Sequence, residues 1–232
     1  MERAGKDSRA GRAIRGRWAA TLATAALVAF PAFEALAQAR TKPEGMVVSI
    51  RDGTLERFRH ERWTPLRVGQ AVSRGDRVRT DRTAVATVTL DGIGRLVIGP
   101  SSDIELGKDR QNFRMRLQRG FAWFQSKLRR GSNAYITTSL ATAGVRGTSF
   151  SVCYDGTNFC ACTCAGEVNV AVPDGPAIDV GAGQYVAFAA AAPLPASTSP
   201  GATLLEKTGA GFDFCFNCHV VGGKGGLKQD RK

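Results

Sequence analysis

Apolar residues in this chain recur at every second position over runs of about five residues, and each run stops at a turn-forming pair. Ala84-Val85-Ala86-Thr87-Val88-Thr89-Leu90 ends at Asp91-Gly92, and Arg95-Leu96-Val97-Ile98 ends at Gly99-Pro100. Asp103-Ile104-Glu105-Leu106 stops at Gly107, and Phe113-Arg114-Met115-Arg116-Leu117 sets apolar residues on one face against arginines on the other. Phe121-Ala122-Trp123-Phe124, Tyr135-Ile136-Thr137-Thr138, Ser149-Phe150-Ser151-Val152 and Glu167-Val168-Asn169-Val170 continue the style. Side chains alternate across a strand, so a period of two marks half-buried strands, whereas a helix needs a period of 3.6. Between residues 46 and 186 no helical stripe of useful length occurs. The pattern predicts an all-β domain of short strands, a β-solenoid or a sandwich-like fold, and no repeat of fixed period selects the solenoid.

The first forty residues read differently. Arg3, Lys6, Arg9, Arg12, Arg15 and Arg17 precede an apolar stretch from Trp18 to Phe33, and Ala37-Gln38-Ala39 follows with small residues. A basic start, a short apolar run and an A-x-A exit predict a cleavable signal peptide over 1–39, and hence a periplasmic or otherwise exported protein. The apolar run falls short of the roughly 20 residues a spanning helix needs, so no stable membrane span is expected after cleavage. The whole chain carries a formal charge of +12; six cationic and three anionic side chains lie in 1–39, which leaves +9 on the remainder. Those charges are scattered, without a basic helix or an aromatic ladder, and nucleic-acid binding is not expected.

Three segments in order resemble the FecR domain, the periplasmic sensory part of ferric-citrate-type regulators. They are Val68-Gly69-Gln70-Ala71-Val72-Ser73-Arg74-Gly75-Asp76-Arg77-Val78-Arg79-Thr80, then Leu96-Val97-Ile98-Gly99-Pro100-Ser101-Ser102. The third is Thr138-Ser139-Leu140-Ala141-Thr142-Ala143-Gly144-Val145-Arg146-Gly147-Thr148-Ser149-Phe150, continued by Gly166-Glu167-Val168-Asn169-Val170. The resemblance covers residues 45–188 and implies a module that senses or docks, with no catalytic residues. Its motif residues Gly75, Asp76, Arg146, Gly147 and Thr148 read as structural: the glycines as turn or close-approach positions, Asp76 and Thr148 as hydrogen-bonding to nearby backbone. Regulators of this type carry a cytoplasmic anti-sigma segment and a spanning helix before the domain; here a signal peptide takes that place.

Six cysteines divide four to two. If residues 149–154 and 159–164 form a hairpin around Asp155–Asn158, Cys153 faces Cys160, and Cys160, Cys162 and Cys164 share one side of their strand. In an oxidising compartment these four are disulfide candidates whose connectivity stays open, with all-thiolate metal ligation as the alternative. The second group, Cys215-Phe216-Asn217-Cys218-His219, is the attachment sequence of c-type haem. Two thiols three positions apart reach the two vinyl groups of one porphyrin, and the adjacent His219 presents an imidazole to the iron. Met46, Met115 and His60 are the Met and His candidates for a sixth ligand after residue 39; a disulfide or thiol pair at Cys215 and Cys218, or zinc, competes with haem. Between the groups, residues 189–203 are rich in Ala, Pro and Ser and read as a linker to a tail over 204–232, with a short helix at Ala202–Lys207.

No P-loop, nucleophile elbow, H-E-x-x-H or paired-carboxylate motif occurs, so an enzyme is not expected. The sequence therefore predicts an exported, non-catalytic sensory, scaffold or docking module of the cell envelope with envelope protein partners. The tail is expected to carry haem c; the alternative is an electron-transfer protein whose β body positions that haem.

Overall fold

The computed structural model describes residues 44–145 and 147–190, together with the backbone of 199–200. The expected signal peptide, Arg146, the short helix at 202–207 and the haem-type motif lie outside the described residues. Seventeen strands are described: β1 Gly45–Arg51, β2 Leu55–Arg59, β3 Arg62–Leu66, β4 Ala71–Val72, β5 Arg77–Thr80, β6 Val85–Leu90, β7 Gly94–Ile98, β8 Asp103–Glu105 and β9 Asn112–Ser126. After these come β10 Asn133–Thr137, β11 Thr142–Val145, β12 Ser149–Tyr154, β13 Asn158–Ala165, β14 Glu167–Ala171, β15 Ile178–Gly181, β16 Gln184–Ala189 and β17 Ser199–Pro200. No helix occurs among the described residues, as the period-two pattern requires.

The strands form two layers. The first, layer A, runs β4-β1-β6-β7-β9-β12-β13-β16-β17, antiparallel throughout. The second, layer B, runs β3-β2-β5-β8-β9-β10-β11-β14-β15, antiparallel except for the β9–β10 pair. The chain shuttles repeatedly between them, so the architecture is a sandwich wound in the manner of a roll. Inward positions such as Val88, Leu96, Phe124, Phe150 and Val152 of layer A meet Val78, Ile104, Phe113, Met115 and Ile136 of layer B, all fully closed to solvent. Burial of such side chains contributes about 1.5–3 kcal/mol each.

β9 belongs to both layers, and here the structure differs from the sequence expectation. Phe113–Leu117 and Phe121–Phe124 read as two strands, yet they are one strand of 15 residues. Its first half pairs with β8 and β10 and its second with β7 and β12. Gly120 (φ 97°) makes the bend without ending the strand. Its Cα side faces Ser102, whose Oγ accepts the Phe121 N–H at 2.8 Å. A glycine there turns the chain from one layer to the other rather than reversing it.

Candidate functional site

Most strands of a sandwich show one buried and one exposed face, but β12 and β13 do not: five of the six residues of β12 are buried, and six of the eight of β13, residues 159–164, are buried without a break. Such a run means that both faces are covered. The hairpin is the one the sequence predicts. Asp155 closes it, accepting the N–H groups of Thr157 (2.8 Å) and Asn158 (2.7 Å) and the Asn158 amide (2.7 Å). These donors, Asn158 foremost, hold the Asp155 carboxyl well below its usual range. Cys153 lies directly opposite Cys160, and opposed residues of an antiparallel pair have Cα atoms about 4.5–5.5 Å apart, within the Cα range of a disulfide.

Cross-strand register then builds a platform on the outer side of layer A. Thr87 of β6, Val97 of β7, Trp123 of β9, Ser151 of β12, Cys162 of β13, Tyr185 of β16 and position 199 of β17 follow one another as direct partners. In the adjacent row Phe121 pairs with Cys153, and Cys153 with Cys160. The buried clusters on this side consist of Val97, Phe121, Trp123 and Cys164, and of Cys160, Cys162 and Tyr185. Trp123 is 2% exposed and Cys164 0%. Cys164 is disulfide-bonded. The cysteine row was legible from alternation, but its aromatic neighbours were not assigned. The unbroken apolar run Phe121-Ala122-Trp123-Phe124 was the available signal, because a strand apolar on both faces is covered on both.

The described family-motif residues sit elsewhere. Gly75 (φ 81°) and Gly147 (φ 66°) occupy turns in the left-handed region. Asp76, 5% exposed, accepts the Ser73 N–H at 2.8 Å and the Arg59 guanidinium at 2.9 and 2.7 Å. Thr148 takes part through its backbone: its N–H donates to Ser126 Oγ at 2.8 Å and its carbonyl accepts the Ser126 N–H. Its own buried Oγ1 has no hydrogen-bond partner among the described residues.

On the outer side of layer B, Trp63 stands at the β2–β3 corner. The Arg79 guanidinium lies 4.1 Å and that of Arg77 5.5 Å from its ring centre, and Phe58 is 5.2 Å away. Glu56 and Asp103 pair with these arginines at 2.7 and 2.6 Å. Two paired arginines and two aromatic rings thus share this corner, and Phe58 is 37% exposed. No group of three His, Cys, Asp or Glu side chains among the described residues converges to hold a metal ion. Of the expected sixth haem ligands, Met115 is sealed in the core at 0% exposure and cannot reach a haem, whereas Met46 and His60 are exposed.

A family model described as FecR protein matches residues 76–176. No curated protein matches the chain. Two crystal structures assigned as an anti-sigma factor from Parabacteroides distasonis ATCC 8503 resemble it at 14% identity and a TM-score of 0.49. One covers 53% of this chain and 59% of its own length, the other 55% and 64%. This chain thus spans about three fifths of the solved chains it resembles. The family-model match runs from β5 through β14.

Proposed function

We propose that this chain is an exported, non-catalytic sensory or docking module of the cell envelope. The observation that carries the reading is the FecR-type match across the part of the sandwich that includes the layer switch. The electrostatics support it. Glu44, Asp81, Asp109 and Asp155 are all held below the usual carboxylate range by donors: Arg74 for Glu44, backbone and hydroxyl groups of Thr83 and Thr54 for Asp81, Gln111 for Asp109, Asn158 for Asp155. A general acid at neutral pH needs the opposite displacement, so these carboxylates serve as structural acceptors.

The docking face is the Phe58–Trp63–Arg79 corner, which suits an envelope protein presenting acidic and apolar side chains together. Aromatic and arginine residues are the side chains that anchor interfaces most strongly. Export rests on the basic, apolar, A-x-A beginning of the sequence; among the described residues no helix is long and apolar enough to cross a membrane. The test is a photoreactive residue at position 58, expressed in the exporting cell, with one at exposed Val68 as control. A discrete protein adduct at 58 that disappears in Arg79→Glu supports docking. Equal labelling at both positions overturns it.

A second reading rests on Cys215-Phe216-Asn217-Cys218-His219, whose donor set fits covalent haem with His219 as axial ligand. Bound haem c would supply one-electron transfer, with the β body as its support. It requires both tail thiols. A Soret band that survives denaturation and acid-acetone extraction supports this reading, and a colourless protein refutes it.

A further inference from the structure

We infer that the groove on the outer side of layer B, between the β8–β9 loop and the end of β10, docks an extended segment of a protein partner that carries carboxylates at alternate positions. The inference rests on the docking reading and deepens it: it names the partner's chemistry and extends the contact beyond the Phe58–Trp63–Arg79 corner.

The groove holds about 630 Å³, with Leu106 and Lys108 on one side, Thr137 and Thr138 on the other, and Arg114 and Arg116 between them. β9 lies between β8 and β10 in the layer. Alternation along β9 sends Phe113, Met115 and Leu117 into the core and leaves Arg114 and Arg116 exposed on the outer side. A Cβ on Gly107 would lie 2.6 Å from the Arg114 nitrogen and 2.8 Å from its carbonyl oxygen. With no side chain there, the loop lies directly against the β9 backbone.

Charges on this face are sorted. Arg77 and Arg79 are paired with Asp103 and Glu56 at 2.6 and 2.7 Å. In the groove, no carboxylate among the described residues lies within 4 Å of Lys108, Arg114 or Arg116. The Arg114 guanidinium instead lies 4.7 Å from the ring centre of Tyr135, its direct partner on β10. Thr137 Oγ1 donates to the Met115 carbonyl and Thr138 Oγ1 to the Ala141 carbonyl, each at 3.1 Å. Both acids at the rim have neighbours of their own: Asp109 accepts the Gln111 N–H at 2.8 Å, and Glu105 stands in register between Arg77 and Arg116. The groove therefore offers two guanidiniums and an ammonium, which are donors only. Such donors bind carboxylate or phosphate oxygens.

Spacing selects the source of those oxygens. Arg114 and Arg116 are two residues apart on one strand, about 6.6–6.8 Å. Carboxylates at positions i and i+2 of another extended chain repeat at the same distance, so a segment laid along β9 meets both guanidiniums in one register. Trp63, Phe58, Arg77, Glu105 and Arg116 follow one another as direct partners. The groove is thus four strand spacings from Trp63, about 19 Å, within one protein interface of about 800 Å² per side. An anionic bilayer fits this face less well, because Glu56, Asp103 and Glu105 interrupt its positive charge and repel a uniform negative surface.

The experiment follows the fluorescence anisotropy of a labelled peptide alternating glutamate with serine, titrated in dilute salt with the exported full chain. Two double variants lose the same charge: Arg114→Gln with Arg116→Gln in the groove, and Arg51→Gln with Arg82→Gln at exposed positions elsewhere. The expected result is saturable binding that weakens about tenfold or more in the groove variant, where charged hydrogen bonds are lost at two positions, and less than about twofold in the other. Inorganic phosphate and phosphatidylglycerol vesicles are run as competitors and should not displace the peptide at matched charge. Absence of peptide binding, equal weakening in both variants, or displacement by phosphate or by vesicles would each overturn the inference. A photoreactive residue at exposed Asn112, in the exporting cell beside the one at position 58, separates this proposal from the reading it rests on. Adducts to one protein from both positions support it. An adduct at 58 with none at 112 overturns the groove alone, and peptide binding in the groove without any adduct at 58 overturns the corner alone.

Discussion

Gly120→Ala tests the hinge of the fold. A Cβ at this position would lie 2.4 Å from Ser102 Cα and 2.4 Å from its Oγ, closer than packed atoms tolerate, and Ser102 Cα belongs to backbone that cannot swing aside. Holding an L-residue at φ 97° costs about 1–3 kcal/mol. Relieving the overlap by a backbone shift costs about 1–3 kcal/mol more. The shift also weakens the Ser102 relay, in which Oγ accepts the Phe121 N–H at 2.8 Å and donates to the Phe121 carbonyl at 3.1 Å, a loss of about 1 kcal/mol. The total, about 3–7 kcal/mol, rivals the whole stability of an ordinary domain, about 5–15 kcal/mol. Gly131→Ala is the control: its φ is 83°, but nothing lies within 4 Å of the added atom, so only the backbone strain, about 1–3 kcal/mol, should appear. Urea unfolding followed by circular dichroism measures both. Equal losses for the two variants would refute the close-approach reasoning.

Other consequences follow from single groups. Asp76→Ala strands the Ser73 N–H and removes the partner of half-buried Arg57 and exposed Arg59, and should cost about 1–3 kcal/mol by the same unfolding assay; a loss below about 0.5 kcal/mol would show the motif aspartate to be dispensable for folding. Asp155→Ala removes the closure of the β12–β13 hairpin and should cost about 1 kcal/mol, with faster amide exchange confined to residues 149–165 if the loss is local. Folded-state depression of the Glu44, Asp81, Asp109 and Asp155 carboxyls means that these groups stabilise the fold above the unfolded carboxylate pKa, about 4, and lose that contribution as the pH falls through it. The thermal midpoint should therefore drop steadily below about pH 4; a rise between pH 5 and pH 3 would contradict the assignment. Arg79→Ala removes the cation over Trp63 and, being half-exposed, should cost only about 0.5–1 kcal/mol while shifting the Trp63 emission.

The all-β class and the β12–β13 hairpin were legible because both depend on local signals: alternation, and an aspartate that can bond its own turn. The single long β9 was not, because a glycine between two apolar runs looks the same whether it reverses a strand or bends it; only the approach of Ser102, 18 residues upstream, distinguishes the two. The cysteine row could be read as sharing one side of β13. That Trp123, Phe121 and Tyr185 complete the same surface is a matter of register between strands far apart in the chain, which no local pattern encodes. Asp76 was recognised as an acceptor, but the arginine it holds lies on β2, 17 residues earlier. Arg77 and Arg79 read as scattered charge, yet pairing of β2 with β5 and β3 sets both against Trp63.

The intact mass of the exported protein under non-reducing, denaturing conditions tests the account most directly. The account predicts a chain beginning at residue 40, lighter than its fully reduced form by two hydrogens for each disulfide. A species retaining residues 1–39, or one unchanged by reduction, would contradict it.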